Sequence, residues 1–270
     1  MRADNWTLGR EMTTDIIDAS QRTAAKIVGL MYLLAIPPAL FAEFYVSSQL
    51  IDYHDVTATA RNIMAHGTLF RLGIASNLSV FAIDAVLITA LYVVLNPVGR
   101  TLALLAAFWR LVETAVLVVA TQNDFDVLRL LSGADYLRVF DADRLQALAR
   151  LSIGAHGAGY NVGLVFAGLG STAFCWLWFK SGFIPKPLAA WGVFSSLLLA
   201  TCTFAFIVFP ELSQVVSVAV YGGPIFLFEL AMGFWLLLNG LRHPQTGVSL
   251  PSAAVARPPH ERHKERSENP

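Results

Sequence analysis

The sequence predicts an all-α, polytopic transmembrane bundle of six spans, with short interfacial helices in its two longer loops. Of its 270 residues 56% are apolar and only 14% are charged, whereas a soluble domain carries roughly a quarter charged residues. Mean hydropathy is +0.57. Six apolar segments each reach the length of about 20 residues that a helix needs to cross a hydrocarbon core of roughly 30 Å. They run over 24–46, 73–95, 101–121, 154–179, 187–209 and 218–239. Long unbroken runs fit helices, which satisfy every backbone polar group internally, and not the short alternating segments of a membrane barrel.

The first span follows a polar segment, residues 1–22, with both acidic and basic groups; the span itself is too long for a signal-peptide core and lacks a small-residue cleavage pattern, so it is expected to stay attached. Pro37-Pro38 inside it predicts a kink. The loop to the second span holds a helix from the capping Asp55 through His66. Spans two and three meet across the tight turn Asn96-Pro97-Val98-Gly99-Arg100, and spans four and five across Lys180 to Lys186. Both contain the Pro and Gly that end helices. Between spans three and four, Leu145, Leu148 and Leu151 follow a capping Asp141 at three-residue spacing, which predicts an amphipathic interfacial helix. The glycines of span four, Gly159 and Gly163 above all, predict close helix packing, with a glycine-lined solute path as the alternative. Residues 23–242 thus form the membrane domain, and the Pro-, Arg-, Glu- and Ser-rich tail 243–270 reads as a disordered cytoplasmic segment.

Orientation follows lysine and arginine. Twelve lie on the side of the termini and tight turns and six on the side of the long loops, which predicts cytoplasmic termini in a bacterial inner membrane. Trp176, Trp178 and Lys180 read as a headgroup anchor on the same side. A net charge of zero gives no support to a nucleic-acid partner. Cys175 and Cys202 lie in apolar runs without metal spacing and read as small buried apolar residues. The expected partners are membrane lipid and a small-molecule solute, with no cofactor; the oligomeric state is left open.

Ionisable residues inside spans carry the functional reading, because a central Asp or Arg costs about 2.5–3.5 kcal/mol on insertion scales. Asp84 lies eleven residues before the end of span two, and Arg110 nine residues after the start of span three. At 1.5 Å per residue both sit roughly 14–17 Å from one membrane face. Glu113 shares the face of Arg110. The spacing predicts a buried polar cluster of Asp84, Arg110 and Glu113, with Glu229 from span six and Asn77 one heptad from Asp84. Three carboxylates against one guanidinium leave an acidic surplus that binds protons or recruits a cation. A purely structural salt bridge that fixes helix register is the competing reading. Toward the opposite face lie Glu43, His66, His156, Tyr160 and Asn161, candidates for metal binding or acid–base chemistry although no ligand motif supports them.

Ordered landmarks add a resemblance. They are Gly29-Leu30-Met31-Tyr32-Leu33-Leu34, Leu69-Phe70-Arg71-Leu72-Gly73, Leu102 to Arg110, Gly133-Ala134-Asp135-Tyr136-Leu137, His156 to Gly168 and Lys180-Ser181-Gly182-Phe183-Ile184-Pro185. Over residues 23–241 the chain resembles a bacterial multi-pass membrane family, domain of unknown function number 4386. The resemblance implies a multi-pass membrane protein and assigns no active residue. The sequence therefore favours a small solute carrier, or a proton- or cation-linked binding protein with a buried polar core. An intramembrane metal- or cofactor-dependent enzyme built on Glu43, His66 and His156 is the alternative, and a structural or regulatory membrane partner a third.

Overall fold

In a computed structural model, residues 17–52 and 54–242 are described. The predictions for residues 1–16 and for the tail 243–270 lie outside the described residues. Among the described residues every regular element is helical. Five helices among these residues are long and apolar enough to cross a membrane, which fits a multi-pass membrane protein.

Helix α1 (Ala19–Leu40) opens with a capping box: Gln21 N–H donates to Asp18 Oδ1 at 2.7 Å and Asp18 N–H donates to Gln21 Oε1 at 3.2 Å. Pro37 and Pro38 have no N–H to offer the preceding turn. The helix does not stop there; it widens into a π-helical turn, Phe41–Val46, and closes with Ser47–Leu50. Asp55 then caps α2 (Val56–Ala65), accepting from Ala58 N–H at 2.8 Å. Helix α3 (Gly67–Leu95) turns sharply into α4 (Arg100–Ala120), and α5 (Gln122–Leu130) follows.

A 3₁₀ turn at Asp135–Val139 leads to α6 (Ala142–Ser181), whose 40 residues begin at the predicted cap Asp141. The expected interfacial helix and the fourth span are here one continuous helix, since nothing at Gly154 interrupts the backbone ladder. Gly182, at φ +68°, ends α6 in the left-handed conformation that glycine adopts without a Cβ clash. Helix α7 (Lys186–Val208) carries Pro187 in its first turn, where no N–H is needed. The predicted sixth span 218–239 is broken. A single turn, Val218–Tyr221, precedes Gly222, and α8 (Gly223–Leu238) has 16 residues. Consecutive glycines are weak helix formers and Pro224 lacks a donor, which accounts for the interruption.

The long helices pack as a closed antiparallel ring in the order α1, α3, α4, α6, α7, α8, with α8 returning to α1. At one end Gln21 Nε2 donates to the Val94 carbonyl at 3.1 Å, and Arg242 N–H donates to the Phe183 carbonyl at 2.8 Å. The start of α1, the end of α8 and both tight turns therefore share that end, called the turn end. An apolar core that includes Val28, Val94, Phe174, Trp178, Phe228 and Leu236 fills it. Trp178 is 1% exposed and packs edge-on against Phe183. It is thus a core residue and not the predicted headgroup anchor, while Trp176, two positions away on the other side of the helix, is exposed. At the opposite loop end a second apolar cluster including Val46, Leu50, Ile63, Phe70, Val127 and Ile153 ties α2 and α5 to the ring.

Glycines set the spacing of α6. A Cβ on Gly159 would meet Ala120 Cβ at 2.8 Å, and one on Gly163 would meet Leu117 Cδ2 at 2.7 Å, both on α4. A Cβ on Gly168 would meet Ala200 of α7 at 2.6 Å. Gly154 and Gly157 face open space and line the interior cavity, so close packing and cavity lining divide the one helix between them. Gly163→Leu is expected to destabilise the bundle by about 1–3 kcal/mol through overpacking. Gly154→Ala leaves stability unchanged or raises it by up to about 1 kcal/mol. Thermal unfolding in detergent micelles, followed by tryptophan fluorescence, checks both. Indistinguishable melting of the two variants would contradict the α4–α6 contact.

Candidate functional site

The tight α3–α4 turn aligns Asp84 with Arg110. Arg110 Nη2 lies 3.4 Å from Asp84 Oδ1, a long hydrogen bond, and Arg110 Nη1 lies 2.8 Å from Glu113 Oε2. All three residues are less than a tenth exposed. Glu113 Oε2 is ion-paired to Arg110 but has no aligned hydrogen-bond donor. Gly170 of α6 makes room for the arginine stem, since a Cβ there would fall 2.8 Å from Arg110 Cγ. From α8, Glu229 faces the same guanidinium across the interior and is partly open to the cavity.

The second polar set gathers around α6. His156 Nδ1 lies 3.0 Å from Asp124 Oδ2 on α5. The Tyr160 ring stacks on the imidazole with centroids 5.5 Å apart. Glu43, carried by the π turn of α1, accepts from Asn77 Nδ2 at 3.0 Å and lies beside Tyr160. Asn77 thus pairs with Glu43, nearer the loop end than Asp84, and not with the Asp84 cluster to which the heptad spacing assigned it. Asn161 is half-buried and lines the cavity. His66 does not join. It caps α2 at the α2–α3 junction, is exposed, and is absent from the cavity wall.

Both sets line one cavity of about 830 Å³. Its deep end holds Asp84, Arg110, Glu113 and Glu229, and its lining reaches Ile51, Ser213 and Val218 at the loop end. The turn end is shut by the apolar core. Five carboxylates (Glu43, Asp84, Glu113, Asp124 and Glu229) share the wall with two guanidinium groups, Arg110 and Arg150, and the imidazole of His156. Among the described residues no three His, Cys, Asp or Glu side chains are grouped to hold a metal.

Sequence reasoning did not single out Asp124 and Arg150. Asp124 falls outside the third predicted span, because Thr121-Gln122-Asn123-Asp124 ends the apolar run. The helix nevertheless resumes as α5 at Gln122, which keeps Asp124 on the face of Arg110, Glu113, Leu117 and Ala120. Continuing the three-and-four-residue spacing past Ala120 is the signal that finds it.

Removing one partner of a buried ion pair leaves an uncompensated charge and costs about 3–5 kcal/mol. Arg110→Met is expected to destabilise the protein by that amount, and adding Asp84→Asn with Glu113→Gln to recover most of it. Melting temperatures in one detergent check this. A triple variant no more stable than Arg110→Met would show that the guanidinium acts through packing and not through charge.

No curated protein and no solved structure matches the chain. A family model does, over residues 27–240, and it covers the ring from Ile27 within α1 to the end of α8 together with every residue of the cavity described above. The chain belongs to the family described as Domain of unknown function (DUF4386).

Proposed function

We propose that this protein is a small carrier or solute-binding protein of a bacterial inner membrane whose cavity accepts a small organic cation. The observation that carries the reading is the acidic surplus on the wall of an 830 Å³ cavity. Ligand sites for small molecules occupy about 300–1,000 Å³ and combine apolar walls with a few placed polar groups. Carboxylates without matching cations in low dielectric recruit a positive partner. Within the deep cluster Arg110 holds Asp84 and Glu113 in place, and Glu229 supplies the counter-charge to the solute's cationic head.

The antiparallel ring supports six crossings. Helix α8 is about 24 Å long at 16 residues, shorter than a bilayer core, and the turn Val218–Tyr221 extends its reach. With both ends of the ring at the turn end, the lysine and arginine bias favours cytoplasmic termini and a cavity mouth toward the outside. The metal- or cofactor-dependent alternative loses support because His66 stands apart from Glu43 and His156.

Benzyltrimethylammonium and its neutral carbon isostere neopentylbenzene differ in charge at nearly constant shape. With the protein in lipid nanodiscs, equilibrium dialysis is expected to show binding of the cation at least about tenfold tighter than of the neutral compound. Glu229→Gln is expected to weaken cation binding by about tenfold or more, given the Coulomb energy of a nearby pair in a partly hydrated interior. Equal binding of the two compounds, or a Glu229→Gln protein that binds the cation as the wild type does, would remove the basis for this reading.

A further inference from the structure

The deep cluster accounts for one end of the cavity. It leaves unexplained why the other end places a histidine against a carboxylate. Among the described residues His156 is the one imidazole on the cavity wall, its side chain 18% exposed and that of Asp124 12%. Nδ1 lies 3.0 Å from Asp124 Oδ2 but off the line of a hydrogen bond; the adjacent carboxylate favours the proton on Nδ1, which leaves the Nε2 lone pair to take a proton from water in the cavity. The charged and titratable groups facing it come from three helices, Asp124 on α5, Glu43 on the π turn of α1 and Tyr160 on α6, and Arg150 of α6 lies on the same cavity wall. Helix α4 presents Ala120 and Leu117 to this stretch of α6. Helix α2 also packs on α6, and its Arg61 is exposed.

We propose that His156, held by Asp124 and faced by Glu43, is a proton-binding site at the cavity mouth whose occupancy competes with the cation in the deep acidic cluster. This rests on the reading of the cavity as a cation site. The proton arrives from water at the loop end and adds to Nε2, turning a neutral imidazole into an imidazolium while Asp124 stays a carboxylate; no other bond changes. The wall then carries one more positive charge, and its pull on a second cation falls.

Geometry sets the size of the effect. Gly163 of α6 lies against Leu117 and the Glu113 backbone. His156 is seven residues earlier on the same helix and fourteen before Gly170, which meets the Arg110 stem, so it lies about 10–21 Å along the axis from the deep cluster. Two unit charges that far apart in an interior of effective dielectric about 20 change each other's binding by about four- to tenfold. Linkage makes the effect reciprocal, so loading the cation expels the proton to the same degree. A cavity of this kind exchanges one positive charge for another, which is what a proton-for-cation carrier requires at the moment of release.

The test uses benzyltrimethylammonium, whose charge does not vary with pH, on the full chain in lipid nanodiscs between about pH 5 and pH 8, the range in which imidazole titrates. Wild-type affinity is expected to rise about four- to tenfold as the pH rises. His156→Gln, locked neutral, keeps only the pH response of the deep carboxylates and binds more tightly than the wild type at acidic pH, and His156→Arg, locked charged, binds more weakly than the wild type at alkaline pH. A pH response that persists unchanged in His156→Gln, or an His156→Arg protein with the alkaline affinity, overturns the proposal and leaves the cation site standing. A wild-type protein that binds no cation at any pH overturns both.

Discussion

A guanidinium ion cannot stay dry without counter-charge, and burying Arg110 constrains much of the surrounding structure. Its partners must be carboxylates at hydrogen-bond range, so Asp84 on α3 has to stand level with it and Glu113 has to sit one turn further along α4. That requirement pins the register of α3 against α4. The long arginine stem must also run between helices, and Gly170 supplies the gap on α6. The same glycine face continues through Gly163 and Gly159, so the approach that admits Arg110 at one level draws α6 onto α4 along its length. From α6 the ring continues by contact to α7, α8 and back to α1. A charged residue that costs free energy on its own is in this way coupled to the packing that shapes the interior.

The two ends of the ring differ because their connections differ. Tight turns carrying Pro and Gly hold neighbouring helices together at one end, and large side chains such as Trp178 and Phe228 can fill the space between them. At the loop end the helices are joined by α2, by α5 with the 3₁₀ turn, and by the segment before α8. Helix α6, at 40 residues, is about 60 Å long, roughly twice the hydrocarbon thickness. Its N-terminal part, with Asp143, Arg144 and Arg150, therefore extends beyond any membrane the ring spans. This extension brings α5 and the polar face around His156 together above the deep cluster, and the cavity is the space they leave.

Local chemistry was the part of the structure most legible in the sequence. Asp55 and Asp141 cap their helices because a carboxylate accepting from a first-turn N–H is a short-range event written in a few residues. Asp84 and Arg110 were legible as a pair because a tight turn converts sequence distance into depth. Features that depend on several helices at once were not. Asp124 meets His156 only because α5 continues the line of α4, and Asn77 turns to Glu43 only because the π turn after Pro37-Pro38 carries that carboxylate toward α3. Trp178 resembled an interfacial anchor by composition, yet the α6–α7 turn folds Phe183 over it. The break at Gly222 was hidden by apolar neighbours that keep the hydropathy of the sixth segment high.

The two polar sets share one wall, and that changes what each can do. Taken alone, the deep cluster can be read as a register lock and the mouth as a set of helix-end polar residues. Within one cavity they become electrostatically connected, since charges about 10–21 Å apart still interact where water is scarce. An acidic surplus in such a space is stable only when water, protons or a cation balance it. The state of the cavity and the stability of the bundle are then linked, and any positive species that enters stabilises the folded ring by mass action. On the proposed cation reading, the same carboxylates that would destabilise an empty, dry interior give the occupied one its preference for positive charge.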